Sequence, residues 1–285
     1  METRLKYVPP QPPPPPPASP ERALRVLTAR SSRPERNAGI PLDLDLVRAL
    51  RINRSAVERR AATLPTRRTV KKEWQAAWLL RAITCMDLTT LQGDDTPTNV
   101  LRLCAKAQHP LRRDLVAALG VADLGLTVGA VCVYHAFVPI AVQALARSGI
   151  PVAAVSTGFP AGLSPLPQRI DEIKASAAAG ADFIKTSTGK EVVNATLPVG
   201  VVMARQIRDY HERTGCAVGF KAAGGIRKAK QALEWLILMK EELGDRWLRA
   251  DLFRLGASAL LTDIERQLEH FVTGRYSAAH RHPMV

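Results

Sequence analysis

Along most of the chain, short apolar runs ending in small or polar residues alternate with longer segments whose apolar positions recur every three or four residues. The short runs read as strands buried on both faces and the longer segments as amphipathic helices. Strands are expected over 82–87, 129–134, 151–156, 181–187, 217–222 and 252–255. The helices among them are expected over 97–107, 112–119, 138–148, 168–179, 197–214, 228–243 and 259–272. Ahead of the first strand, Leu46, Leu50 and Val57 recur among arginines and set a helical pattern over 42–62. Residues 74–80, with Ala77, Trp78 and Leu79, read as a helix closing the bottom of a barrel. This alternation predicts parallel strands in βα units, arranged as a barrel or as an open sheet. No GxGxxG follows the first strand, which argues against a dinucleotide-binding sheet.

The first 40 residues break the pattern. They hold nine of the 21 prolines before Ser31, with a tract from Pro9 to Pro17, and then arginine-rich polar sequence. Such composition predicts an unstructured polyproline-type leader over 1–40 and one α/β domain over 41–285. A ligand for an SH3-type domain is the sharper alternative for the proline tract. The formal charge of +14 belongs largely to this end, since 16 Lys and Arg face seven Asp and Glu up to Glu73. No aromatic interleaving or folded motif accompanies that charge, so a nucleic-acid role is disfavoured. Cys85, Cys104, Cys132 and Cys216 show no CxxC spacing and no grouping with histidine, which predicts reduced thiols rather than a zinc site. No apolar run is long enough to span a membrane or to serve as a secretory signal, and a cytoplasmic location is expected.

In α/β barrels the functional side chains gather at the C-terminal ends of the strands. Asp87, Cys132, Lys185 and Lys221 stand there, with the glycine turns Gly224-Gly225 and Gly256. A single strand lysine is readily an edge residue whose ammonium snorkels to water. Two on neighbouring strands, each followed by a loop of small residues, point to chemistry. Ammoniums sharing one cavity repel, and burial disfavours their charge, so a lysine pKa falls toward neutrality. A neutral amine is what attack on a carbonyl requires. The glycines at Gly189, Gly224-Gly225 and Gly256 let backbone N–H groups approach an anion at helix N-termini, although glycines also simply make βα turns.

Four motifs now stand in order: MDLTTL (86–91), FIKTSTGK (183–190), VGFKAAGGIR (218–227) and FRLGAS (253–258). From about Leu42 onward the chain resembles the deoxyribose-phosphate aldolases, and TVKKEWQAAWLL with the VTGRY tail resembles their animal branch. The resemblance implies a (β/α)8 TIM barrel and reversible cleavage of 2-deoxy-D-ribose 5-phosphate to D-glyceraldehyde 3-phosphate and acetaldehyde. It implies no metal and no organic cofactor. Lys185 matches the Schiff-base lysine, and Lys221 the second lysine that tunes it and handles protons. Gly189, Lys190, Gly224, Gly225, Gly256 and Ser258 would hold the phosphate, while Asp87 and Thr89 would line the pocket. Cys132 matches a pocket cysteine outside the reaction. The implied partner is a small phosphorylated sugar, with no membrane; a homo-oligomer is compatible.

This chain departs from the pattern in four places. Ala222 stands where a proline is usual, Ala259 where a second serine occurs, and His135 where a proline follows the tyrosine. The fourth departure is larger. Between Ile173 and Lys174 the family carries two more βα units, strands four and five, so about sixty residues are absent at roughly thirty per unit. The family's acid/base aspartate lies there and matches no residue here. Asp182 is no substitute, because three positions along a strand place it on the opposite face from Lys185. Asp171 and Glu172 belong to the joining helix. Six strands cannot keep the tilt and shear that close an eight-stranded barrel, so open edges are expected. The other reading is an inactive product that keeps a phosphate pocket and serves as a partner or regulator.

Overall fold

The computed structural model describes residues 44–179 and 182–284; the expected leader over 1–40 lies outside them. Six parallel strands form one sheet: β1 (Met86–Thr89), β2 (Ala130–Val133), β3 (Val152–Ala154), β4 (Phe183–Lys185), β5 (Gly219–Ala223) and β6 (Phe253–Gly256). Their order is β3-β2-β1-β6-β5-β4. The sheet therefore runs from β3 round to β4, and those two strands are its edges.

Helices α1 (Leu44–Ala49), α2 (Arg54–Arg67) and α3 (Lys72–Thr84) precede the sheet. The single helical pattern expected over 42–62 is two helices. Asn53 takes extended backbone between them, and its side chain accepts from the Ala56 N–H at 3.0 Å, which starts α2 afresh. The first strand also shifts. Residues 82–84 complete α3, whose Ala82 and Ile83 are wholly buried, and the strand begins at Met86. Arg60 of α2 and Arg68 just after it pair with Glu242 and Glu241, so part of the basic excess is balanced by carboxylates of the later helix Ala229–Leu243.

The remaining helices are α4 (Pro97–Gln108), α5 (Arg113–Ala118), α6 (Val138–Ala144), α7 (Leu166–Ala179), α8 (Leu197–Thr214), α9 (Ala229–Leu243) and α10 (Ala259–Thr273). Six βα connections thus match the alternation in the sequence. Helix α3 packs against α9 and α10 and delivers the chain to the N-terminal end of β1. Helix α7 runs without interruption through Ile173 and Lys174.

Strand pleating divides the sheet residues by parity. Met86, Leu88, Val131, Val133, Phe220, Ala222, Phe253 and Leu255 point outward under the helices and are fully buried. Phe220 stacks on Phe253 with centroids 6.2 Å apart and meets Trp235 of α9 at 5.7 Å. This cover is absent at β4, where the outward Ile184 is 37% exposed although its register partner Phe220 is not exposed at all.

Gly219 fixes how closely β4 and β5 approach. A Cβ there would lie 2.4 Å from the Phe183 ring. Gly219→Ala is expected to push Phe183 aside and lower stability by about 1–3 kcal/mol. Denaturant unfolding of the variant beside the parent chain measures it, and an unchanged midpoint would contradict the close approach.

Candidate active site

The inner parity carries the chemistry. Register pairs Asp87 with Ala130 and Gly256, Thr89 with Cys132, Lys185 with Lys221, and Lys221 with Arg254. One face of the curled sheet therefore presents Asp87 and Thr89 from β1, Cys132 from β2, Lys185 from β4, Lys221 from β5, and Arg254 and Gly256 from β6. Asp182, three residues before Lys185, has the opposite parity and is exposed.

Asp87 is the hub. Its Oδ2 accepts from Lys221 Nζ at 2.5 Å and its Oδ1 from Arg254 Nη1 at 2.7 Å. The three side chains are 4%, 13% and 12% exposed, so the ions are largely removed from water. Burial alone would raise the Asp87 carboxyl, but Arg254 and Lys221, by charge and by hydrogen bond, carry it below the ordinary carboxylate range. Lys185 has no such carboxylate partner among the described contacts. Its ammonium lies 5.3 Å from the Phe159 ring centroid. Partial desolvation, then the charge of Lys221, lowers its pKa from the usual lysine value.

The two lysines are therefore not equivalent, which the repulsion argument from sequence did not distinguish. Lys221 is held by an anion, whereas Lys185 has its pKa lowered from the ordinary lysine value. Burial pushes the Cys132 thiol up.

The loops after the strands meet on the C-terminal side. Thr186 N–H donates to the Lys221 carbonyl at 3.0 Å, and its Oγ1 accepts from Ala223 N–H at 3.0 Å. Ser187 Oγ donates to the Ala223 carbonyl at 2.8 Å. These bonds tie the loop carrying Gly189 and Lys190 to the end of β5. A Cβ on Gly189 would sit 3.7 Å from Gly224. Gly224 itself has φ +89°, and a Cβ there would lie 2.5 Å from Asn194, so both conformation and space require glycine. Gly225 is exposed beside it. Ser258, at the N-cap of α10, accepts from the Thr89 N–H at 2.8 Å and donates to its carbonyl at 2.9 Å. Its hydroxyl thus braces β1. Lys190 is exposed at the rim, and His135 lies exposed in a short helical turn after β2. A cavity of about 560 Å³ beside His109 and Arg113 lies away from the lysines.

Arg254, Thr186 and Ser187 were not singled out by sequence. For Arg254 the signal existed, since a charged residue inside an otherwise apolar strand applies to arginine as it does to lysine.

Paired lysines on neighbouring parallel strands, with glycine turns above them, are an arrangement that suits an aldolase of the α/β-barrel class. Residues 167–262 match the DeoC/LacD family aldolase. A human protein named deoxyribose-phosphate aldolase is 47% identical over 313 aligned positions, which take in 87% of this chain and 98% of that protein. A mouse protein of the same name is 49% identical over 311 positions, covering 86% and 98%. The chain belongs to the deoxyribose-phosphate aldolase family. In fold it is similar to a solved structure from Toxoplasma gondii described as a candidate deoxyribose-phosphate aldolase, with TM-score 0.52, 17% identity, and 72% and 97% of the two chains covered.

Proposed function

We infer that the chain is a lyase of the deoxyribose-phosphate aldolase type, cleaving 2-deoxy-D-ribose 5-phosphate to D-glyceraldehyde 3-phosphate and acetaldehyde through a Schiff base on Lys185. The asymmetry of the two lysines supports this most directly. Neutral Lys185 attacks the aldehyde carbon, water leaves, and the resulting iminium accepts the electron pair when the carbon–carbon bond breaks. Lys221, paired with Asp87, lies next to Lys185 and its charge lowers the Lys185 pKa. The glycine loops at Gly189, Gly224, Gly225 and Gly256, with Ser258 and Lys190, receive the phosphate.

The proton from the breaking carbinol needs a base, and Asp87 is the one carboxylate among the described residues acting on Lys185. It is already engaged by two cations. We therefore read this chain as lacking two βα units between β3 and β4. Two observations support that reading. The alignment to the human relative has 313 positions, more than the 285 residues of the chain, yet uses only 87% of them. Around the open edge, Leu163, Leu166, Ile184, Val192 and Val193 are exposed, as residues deprived of cover would be. Those apolar residues also favour self-association into a homo-oligomer.

The test incubates the chain with deoxyribose 5-phosphate and borohydride, measures acetaldehyde release, and maps the reduced peptide. The expected adduct is on Lys185, with turnover far below that of a chain carrying two further βα units after Ile173. No adduct on Lys185 in either chain would overturn the assignment. An adduct on this chain without turnover would favour the inactive, pocket-retaining product.

A further inference from the structure

Among the described residues, three cations share the inner face of the sheet, Lys185, Lys221 and Arg254, and one carboxylate, Asp87, lies among them. Arg254 is held by three contacts. Nη1 donates to Asp87 at 2.7 Å, Nε donates to the Ala250 carbonyl, and the guanidinium lies 5.3 Å from the Phe183 ring centroid. Gly129 of the neighbouring turn leaves the space for its stem, since a Cβ there would lie 3.2 Å from Arg254 Cδ. A guanidinium cannot shed its proton, so this charge is permanent.

That permanence has an electrostatic consequence. If Asp87 served Lys221 alone, the pair would be neutral and Lys185 would feel little net charge from it. Because Arg254 takes one carboxylate oxygen, the group of three carries one net positive charge beside Lys185. We propose that Arg254 is a positioning residue of the aldolase site, which aims the free oxygen of Asp87 at Lys221 and keeps an uncompensated positive charge facing the Schiff-base lysine. The inference rests on the assignment of Lys185 above, but not on turnover.

The groups facing Lys185 are Lys221 from β5, Asp87 from β1 and Cys132 from β2. Those facing Arg254 are Asp87, Phe183 from β4, the Ala250 carbonyl, and the buried Cys85 thiol, on which its charge acts. Among these only the Arg254 charge is independent of pH. Its removal should therefore raise the pH at which Lys185 becomes a free amine.

The test is trace labelling of the full chain with acetic anhydride across a pH series, followed by peptide mapping, which reads the titration midpoint of Lys185 whether or not the chain turns over. In Arg254→Met the midpoint is expected to rise by about one pH unit, so that labelling at neutral pH falls roughly tenfold. Arg254→Lys, which restores the charge, is expected to stay near the parent midpoint. Unfolding measured on the same samples separates folding from titration. A midpoint in Arg254→Met equal to the parent's, with only stability lost, would show a structural role and overturn the proposal. Should Arg254→Met fail to fold, Arg254→Lys and Phe183→Leu decide. The proposal predicts a parental midpoint in the first, and a shift of more than half a unit in either would overturn it. Absence of turnover with a shifted midpoint would count against the functional assignment alone.

Discussion

Replacing Lys185 by arginine is expected to abolish the borohydride-trapped adduct and to reduce any aldol cleavage by about ten-thousand-fold or more, to the level of buffer. The substitution keeps the positive charge and much of the stem, so the fold and the binding of phosphate should survive. It removes the one property that matters, because a guanidinium is never neutral in this pH range and cannot form an imine. Mass spectrometry of the reduced, digested chain reads the result. Labelled peptide 183–190 in Lys185→Arg, or an adduct transferred to Lys221, would refute the assignment. The pH dependence follows from the same environment. Desolvation and the Lys221 charge lower the Lys185 pKa, so the adduct should form below the pH of about 10.4 at which an ordinary lysine titrates. Lys221→Met should move that midpoint upward, since removal of a nearby positive charge favours the ammonium.

Asp87→Ala is expected to cost about 3–5 kcal/mol of stability, the usual penalty for removing one partner of a buried ion pair. The carboxylate is the counterion of both Lys221 and Arg254 in a site nearly closed to water, and its loss leaves two like charges facing each other. Unfolding by urea, with the parent chain beside it, measures the difference. A loss below 1 kcal/mol would mean that the three groups are far better solvated than their exposures indicate. The pH dependence has a definite sign. The folded Asp87 pKa is depressed, so its contribution is fully present above the unfolded value of about 3.9 and is lost as pH falls through the folded one. The parent chain should therefore lose stability in acid more steeply than Asp87→Ala, which has no carboxyl there to protonate.

Much of the fold was legible because the hydrophobic pattern changes period cleanly. The runs AVCV and GFKAA and the three-to-four spacing of Leu260, Leu261, Ile264 and Leu268 marked strand and helix within a residue or two of their observed bounds. The errors fell where local signals compete. Ala82 and Ile83 suit a buried helix end as well as a strand start, and only the packing of α3 on α9 and α10 decides between them. The two helices at 44–67 were merged because Asn53 acts through a side-chain hydrogen bond, which periodicity does not register.

Lys185 and Lys221 stood out because charge in an apolar strand is costly without a task. Arg254 obeys the same rule, but it lies in a strand of four residues whose glycine dominates the local signal. What sequence alone determined is the identity of the elements, the parity that sends Asp87, Lys185 and Lys221 to one face, and the family motifs. Those follow from side-chain chemistry and a period of two, both local properties. Only the tertiary structure decided which lysine is paired with a carboxylate. That depends on strand order and register, which bring Asp87 of β1 to Lys221 of β5 and Arg254 of β6 across more than a hundred residues, and leave Lys185 on an edge strand without a carboxylate partner among the described residues.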